Sequence, residues 1–137
     1  MNFDQIGDDE ALEWSVSVTS QLIDNFAGAI EDFNPIHTSH DAAVSSGFQT
    51  RVFHGTGLVG LISSAVANKL PGPGSVLLKL DSSFLSPAYL GENLLLRLAV
   101  EKKYKLNNTI RFSYLICNDN SKKVALGHVL VMVPCFS

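Results

Sequence analysis

The sequence predicts an α+β domain in which one curved antiparallel sheet wraps around a single apolar helix. Three observations lead there. Helical spacing is confined to the first half of the 137 residues, and after residue 74 the apolar pattern switches to alternation. Helices followed by a run of strands is the order of an α+β domain with hairpin-linked strands, not of repeated βαβ units. One helix, opening near Gly55, is apolar almost all round, as a helix enclosed by other structure is.

The elements follow in chain order. Met1–Glu10 is polar and acidic, with Asp4, Asp8, Asp9 and Glu10. Trp14–Val18 alternates and is expected to supply an edge strand. Leu22, Ile23, Phe26, Ala27 and Ile30 fall on one face of a helix over 19–30, with Thr19 or Ser20 to cap its start. Pro35 disfavours helical geometry in Asn34, so that helix should stop near Asp32 or Phe33. Residues 31–53 read as loop and short helical turns.

The enclosed helix runs from Gly55 to about Lys69 through Leu58, Val59, Leu61, Ile62, Ala65 and Val66, and Leu70-Pro71-Gly72-Pro73-Gly74 stops it. Gly57 and Gly60 each cost up to ~1 kcal/mol of helix propensity, which close packing of helix on sheet is expected to offset. Strands are expected at 76–80, 94–100, 110–116 and 129–133, with turns at Ser86-Pro87, Gly91-Glu92-Asn93, Asn107-Asn108 and Asn118-Asp119-Asn120.

Length and composition exclude several function classes. A chain of 137 residues fits one domain, 1–137, and buries about 70% of its unfolded surface, enough for a core without staples. Hydrophobic residues at 46% and charged residues at 17% exclude a disordered tail. They also suggest apolar surface given to a partner chain or an apolar ligand tunnel. Net charge of −3 argues against a nucleic-acid binder. The start has neither the basic end nor the apolar run of a signal peptide, and no stretch reaches the ~18 apolar residues of a membrane span. Cys117 and Cys135 are expected as reduced thiols of a cytoplasmic protein.

Four features could carry chemistry. Gly55-Thr56-Gly57-Leu58-Val59-Gly60 has the G-x-G-x-x-G spacing of a dinucleotide site, but no βαβ unit surrounds it; its glycines are read as helix-packing residues, and no cofactor is expected. His37 and His40, three apart, lack the further ligands a zinc site needs, so no metal is expected and His40 is read as a solvated loop residue. Asp32-Phe33-Asn34-Pro35-Ile36-His37 places a carboxylate, an amide and an imidazole just past a helix end, the groups acid–base chemistry uses. The alternative there is an Asx-turn at Asp32 or Asn34 with a surface histidine. Phe53-His54-Gly55 opens the enclosed helix, whose free N–H groups and dipole stabilise negative charge, and a glycine lets a ligand oxygen approach the backbone.

The last two features together, Asp32-x-Asn34-Pro35-x-His37 and then His54-Gly55 opening an apolar helix, resemble the MaoC-like hydratases. Within that group the chain is most similar to the (R)-specific enoyl-CoA hydratases of the hot-dog fold. The likeness extends from Val18 to Pro134 and takes in Phe26-Ala27, the Leu70–Ser75 stop, Phe84, Pro87 and Gly91-Glu92. Two positions depart from the pattern: Ser39 stands where an aspartate is common, and Arg51-Val52 where proline and an apolar residue are common.

The resemblance implies hydration of trans-2-enoyl-CoA to (R)-3-hydroxyacyl-CoA, and the reverse. It implies Asp32 and His37 as the catalytic pair, Asn34 as a holder of water or thioester, and the Gly55 N–H as the oxyanion donor. It also implies Ser63 and Val66 lining an acyl tunnel along the helix, and a homodimer. Alternatives are dehydration of a 3-hydroxyacyl group on acyl carrier protein and a non-catalytic acyl-binding or partner subunit; thioester hydrolysis fits the intact Asp/Asn/His segment less well. Lys69, Lys102, Lys103, Lys105 and Arg111 are the candidates to meet CoA phosphates.

Overall fold

A computed structural model describes residues 1–134; the Cys135 expectation therefore lies outside the described residues. Five strands, β1 (Ala11–Ser17), β2 (Val76–Phe84), β3 (Asn93–Tyr104), β4 (Thr109–Cys117) and β5 (Lys123–Met132), form one sheet in the order β1-β3-β4-β5-β2. Every pairing is antiparallel, and β1 is an edge strand as its alternation predicts. The helices are α1 (Ser20–Ile30), α2 (Pro35–Thr38), α3 (His40–Ser45) and α4 (Gly55–Asn68). The two short ones, α2 and α3, fall in the stretch read as loop and helical turns.

Inward-facing residues of β3, β4 and β5 build the core: Leu94, Leu96, Leu98, Ile110, Phe112, Ile116, Val129 and Val131 are all buried. Leu58, Ile62 and Val66 of α4 pack into the same cluster, with Ile23 of α1. Thr56, Ser64, Ala67 and Asn68 of α4 remain exposed, because a single sheet covers a helix on one side only. In α1, Thr19 caps Leu22 and the helix ends at Glu31 in the left-handed conformation. Ile30, placed on the apolar face by spacing, is 47% exposed there.

Two local features differ from expectation for clear physical reasons. Met1–Glu10 is more than a polar lead-in, since Phe3 and Ile6 are buried in the core behind a short 3-10 turn closed by an Asn2/Gln5 capping box. Of the two helix glycines, only Gly57 is needed for close approach. A Cβ there would lie 2.4 Å from the Phe53 ring, whereas at Gly60 the nearest atom is 3.7 Å away. The close approach that Gly57 allows is thus to the preceding loop rather than to the sheet.

Strand β5 begins at Lys123, six residues before the expected start, and carries Gly127. Tyr114 stands directly opposite Gly127 and reaches across it to donate its hydroxyl to the Asp81 carbonyl at 2.7 Å. A Cβ at Gly127 would be 2.0 Å from that oxygen. Burial, with a smaller contribution from the Asp81 charge, raises the Tyr114 hydroxyl above the ordinary tyrosine value.

Candidate active site

The segment between α1 and α4 brings the acidic and imidazole side chains together through a chain of local hydrogen bonds. The Asp32 N–H closes the end of α1 on the Ala27 carbonyl. Asp32 Oδ1 then accepts from the Asn34 N–H at 3.2 Å, and Asn34 Oδ1 caps α2 by accepting from Ile36 N–H at 3.3 Å. Pro35 sits at the first helical position, where no N–H is needed. Both Asx-turns foreseen as the structural alternative are therefore present. The histidine after them is not a surface residue, because α2 turns His37 inward to 8% exposure.

His37 is held by its ring and by its backbone. Its Nδ1 lies 2.7 Å from the Val52 carbonyl, which only accepts, so Nδ1 carries the hydrogen and Nε2 is the nitrogen left for proton exchange. Its carbonyl accepts from Arg51 Nε at 2.7 Å, and the Arg51 guanidinium is ion-paired to Asp24 of α1. Arg51, a departure from the family pattern in the sequence, thus ties the turn that carries His37 to α1. Composition carries no signal for that role, since the partners lie 14 and 27 residues away.

His54 stands at the N-cap of α4, with its carbonyl accepting from the Gly57 and Leu58 N–H groups. The N–H of Gly55, first in the helix, has no protein partner among the described residues, as expected of a helix start. The Phe84 ring lies over this glycine, 3.2 Å from where a Cβ would stand, and is itself 53% exposed. In the sequence Phe84 carries no signal beyond the family likeness. Its contact with Gly55 depends on how β2 packs beside α4.

Asp32, His37 and His54 each bring one donor atom within 4.8 Å of the others, a spacing a cation could bridge. The two imidazoles are stacked, with centroids 3.8 Å apart and planes 24° from parallel. A metal in the plane of one ring would sit far out of the plane of the other, so the histidines do not converge as zinc ligands do. The arrangement suits proton transfer: a carboxylate beside a buried imidazole, next to unpaired N–H groups at a helix start.

Other expected positions are placed as follows. Asn34 keeps its amide NH₂ free of protein partners among the described residues. Ser63 is half-buried on α4, and Val66 lies in the core. His40 is exposed at the start of α3 and contacts Thr50 Oγ1 at 3.0 Å. Four of the five candidate phosphate-binding cations already have protein contacts. Lys69, Lys102 and Lys103 lie over the Trp14, Tyr104 and Phe3 rings, and Arg111 pairs with Glu101.

Fold and site together define an α+β hot-dog domain with an acid–base cluster at the mouth of its central helix. Residues 2–115 match the model of the MaoC like domain. An (R)-specific enoyl-CoA hydratase of Rhodospirillum rubrum is 30% identical, the match covering 96% of this chain and 91% of that protein. A 3-hydroxybutyryl-CoA dehydratase of Methylorubrum extorquens is 32% identical, covering 95% and 81%. An R-hydratase from Pseudomonas aeruginosa, solved without ligand, superposes with a TM-score of 0.91 at 30% identity, covering 97% of this chain and 85% of that one. The chain belongs to the MaoC-like family, and it is an enzyme of the hydro-lyase class. No helix among the described residues is long and apolar enough to cross a membrane.

Proposed function

We propose that the chain catalyses the reversible, (R)-specific hydration of trans-2-enoyl-CoA to 3-hydroxyacyl-CoA. The observation that carries this reading is the pairing of Asp32 with a buried His37 whose Nδ1 is committed to the Val52 carbonyl, beside the open N-terminus of α4. Water attacks C3 of the enoyl thioester, and the Asp32/His37 pair takes its proton and returns one to C2. On His37 the exchanging atom is Nε2. The thioester oxygen gains negative charge as C3 is attacked, and the Gly55 N–H, reinforced by the helix dipole, stabilises it. Asn34 offers its amide NH₂ to the water or the thioester. Ser63 and Val66 line the acyl path along α4.

The working unit in this reading is a homodimer. Strand β2 is an open sheet edge, and Val76, Leu77 and Leu78 on it are exposed, which favours pairing with a second copy. The free Cys117 thiol accords with a cytoplasmic location. The test is an assay of enoyl-CoA consumption over several chain lengths, with chiral analysis of the product and the same acyl groups offered on acyl carrier protein. Loss of the enoyl absorbance without free thiol, giving the (R) product, is expected. Release of free thiol, an (S) product, or turnover only on the carrier protein would overturn it.

A further inference from the structure

His54 is the most buried polar side chain of the site, at 1% exposure, and the acid–base step has no use for it as described. Its Nε2 lies 3.0 Å from the Asp32 carbonyl, so Nε2 carries the hydrogen and donates. Its ring is stacked on His37 on one side and tilted against Phe26, at 5.1 Å, on another. Its Nδ1 is buried with no hydrogen-bond partner among the described residues. An orphaned buried nitrogen is a cost that needs a reason. A phenylalanine would fill the same space without it. What the imidazole adds is a donor to the backbone of one catalytic residue and a polar ring laid flat on the other.

We propose that His54 is a positioning residue for the acid–base pair. Through Nε2–H it fixes the backbone that carries the Asp32 carboxylate, and through its stacked ring it sets the plane of the His37 imidazole. Its own backbone starts α4, so the pair is held in register with the Gly55 N–H that receives the oxyanion. One side chain thus links all three parts of the site, which lie 22 residues apart along the chain from Asp32 to His54. This rests on the hydratase reading for its catalytic consequence, but not for its geometry.

Two variants separate the two contacts. His54→Gln keeps an N–H that can reach the Asp32 carbonyl and loses the stacked ring; His54→Phe keeps a ring against His37 and loses the donor. Each is expected to lower kcat roughly 10- to 100-fold, the scale of a small misplacement of reacting groups, with KM changed less than about threefold. The readout that a merely structural role would not move is the titration of His37, followed by NMR in ¹⁵N-histidine-labelled protein and assigned with His37→Gln.

The titratable and charged groups that face His37 are the Asp32 carboxylate and the stacked His54 ring, with Arg51 on its carbonyl and Asp24 of α1 paired to that arginine. Apart from His54 itself, neither variant replaces any of these residues, so a change at His37 reports the ring contact or the placement of Asp32. His54→Gln should therefore move the His37 titration and one limb of the pH profile of kcat/KM. A titration and profile unchanged in a folded variant would overturn the proposal. So would a kcat that falls only in proportion to the folded fraction. If the wild-type protein fails to hydrate enoyl-CoA, the hydratase reading fails alone, because the His37 titration still decides the positioning role.

Discussion

The sheet and the 31–54 segment are held by different physics. In the sheet, antiparallel ladders satisfy the backbone and rows of leucine, isoleucine, valine and phenylalanine exclude water. In the 31–54 segment only Ala43, Val52 and Phe53 are buried apolar residues, and shape comes from side chains bonded to nearby backbone: Asp32 and Asn34 in Asx-turns, Ser39 capping α3, Arg51 on the His37 carbonyl, and His37 and His54 on carbonyls of their own segment. Such bonds contribute about 1 kcal/mol each, whereas a large buried side chain contributes several times that. Stability therefore resides mainly in the sheet, and the geometry of the proposed site mainly in the segment. Substitutions in the two regions should separate into losses of Tm and losses of kcat.

The sharpest test of that separation is at the acid–base pair. Asp32→Asn keeps an oxygen for the Asn34 N–H, and His37→Gln gives up one hydrogen bond, so both should fold with Tm changed by a few degrees. Each should lose 10²–10⁴-fold in kcat, measured on a four-carbon enoyl-CoA beside a thermal melt. A folded variant with near-normal turnover would remove the pair from the mechanism.

Gly55→Val is the next in size, because the side chain would crowd the oxyanion position and meet the Phe84 ring. Losing one such donor costs roughly 10²–10³ in kcat. Phe84 is half exposed and can swing away, so stability should hold. Turnover within tenfold of wild type in a folded Gly55→Val protein would place the oxyanion donor elsewhere.

On the sheet side, Gly127→Ala should show the opposite signature. Its methyl group would meet the Asp81 carbonyl at 2.0 Å and the Tyr114 hydroxyl at 2.8 Å, so strands β2 and β5 must part locally. A loss of about 1–3 kcal/mol is expected from denaturant unfolding, with kcat per folded molecule within about twofold of wild type. An unchanged midpoint would mean that the crossing of Tyr114 over Gly127 contributes little.

The smallest effect is expected where the two regions meet, on α4. If Ser63 and Val66 face the acyl chain, Val66→Ala should raise kcat/KM for an eight-carbon relative to a four-carbon substrate, by about fourfold per methylene newly accommodated. Ser63→Phe should lower the same ratio. Ratios equal to wild type in both variants would leave these residues as core packing only.

Periodicity alone was enough for α1, α4 and most of the sheet, because burial of one face imposes a period of 3.6 or 2 on the residues themselves. Proline and glycine stops marked where α4 ends, and Thr19 marked where α1 begins. Asp32, Asn34 and His37 were legible as a group because they are close in the chain and of reactive types. Other features depend on distant residues and leave no local mark. The early start of β5 rests on pairing of residues 123–126 with β4 and β2, a contact between strands. The burial of Phe3 and Ile6 required a core for them to enter. The Arg51 link to Asp24, the Phe84 ring over Gly55 and the stacking of His54 on His37 arise only when α1, β2 and α4 are packed together. The residue types that could do the chemistry are a property of the sequence; their distances and orientations are a property of the packed chain.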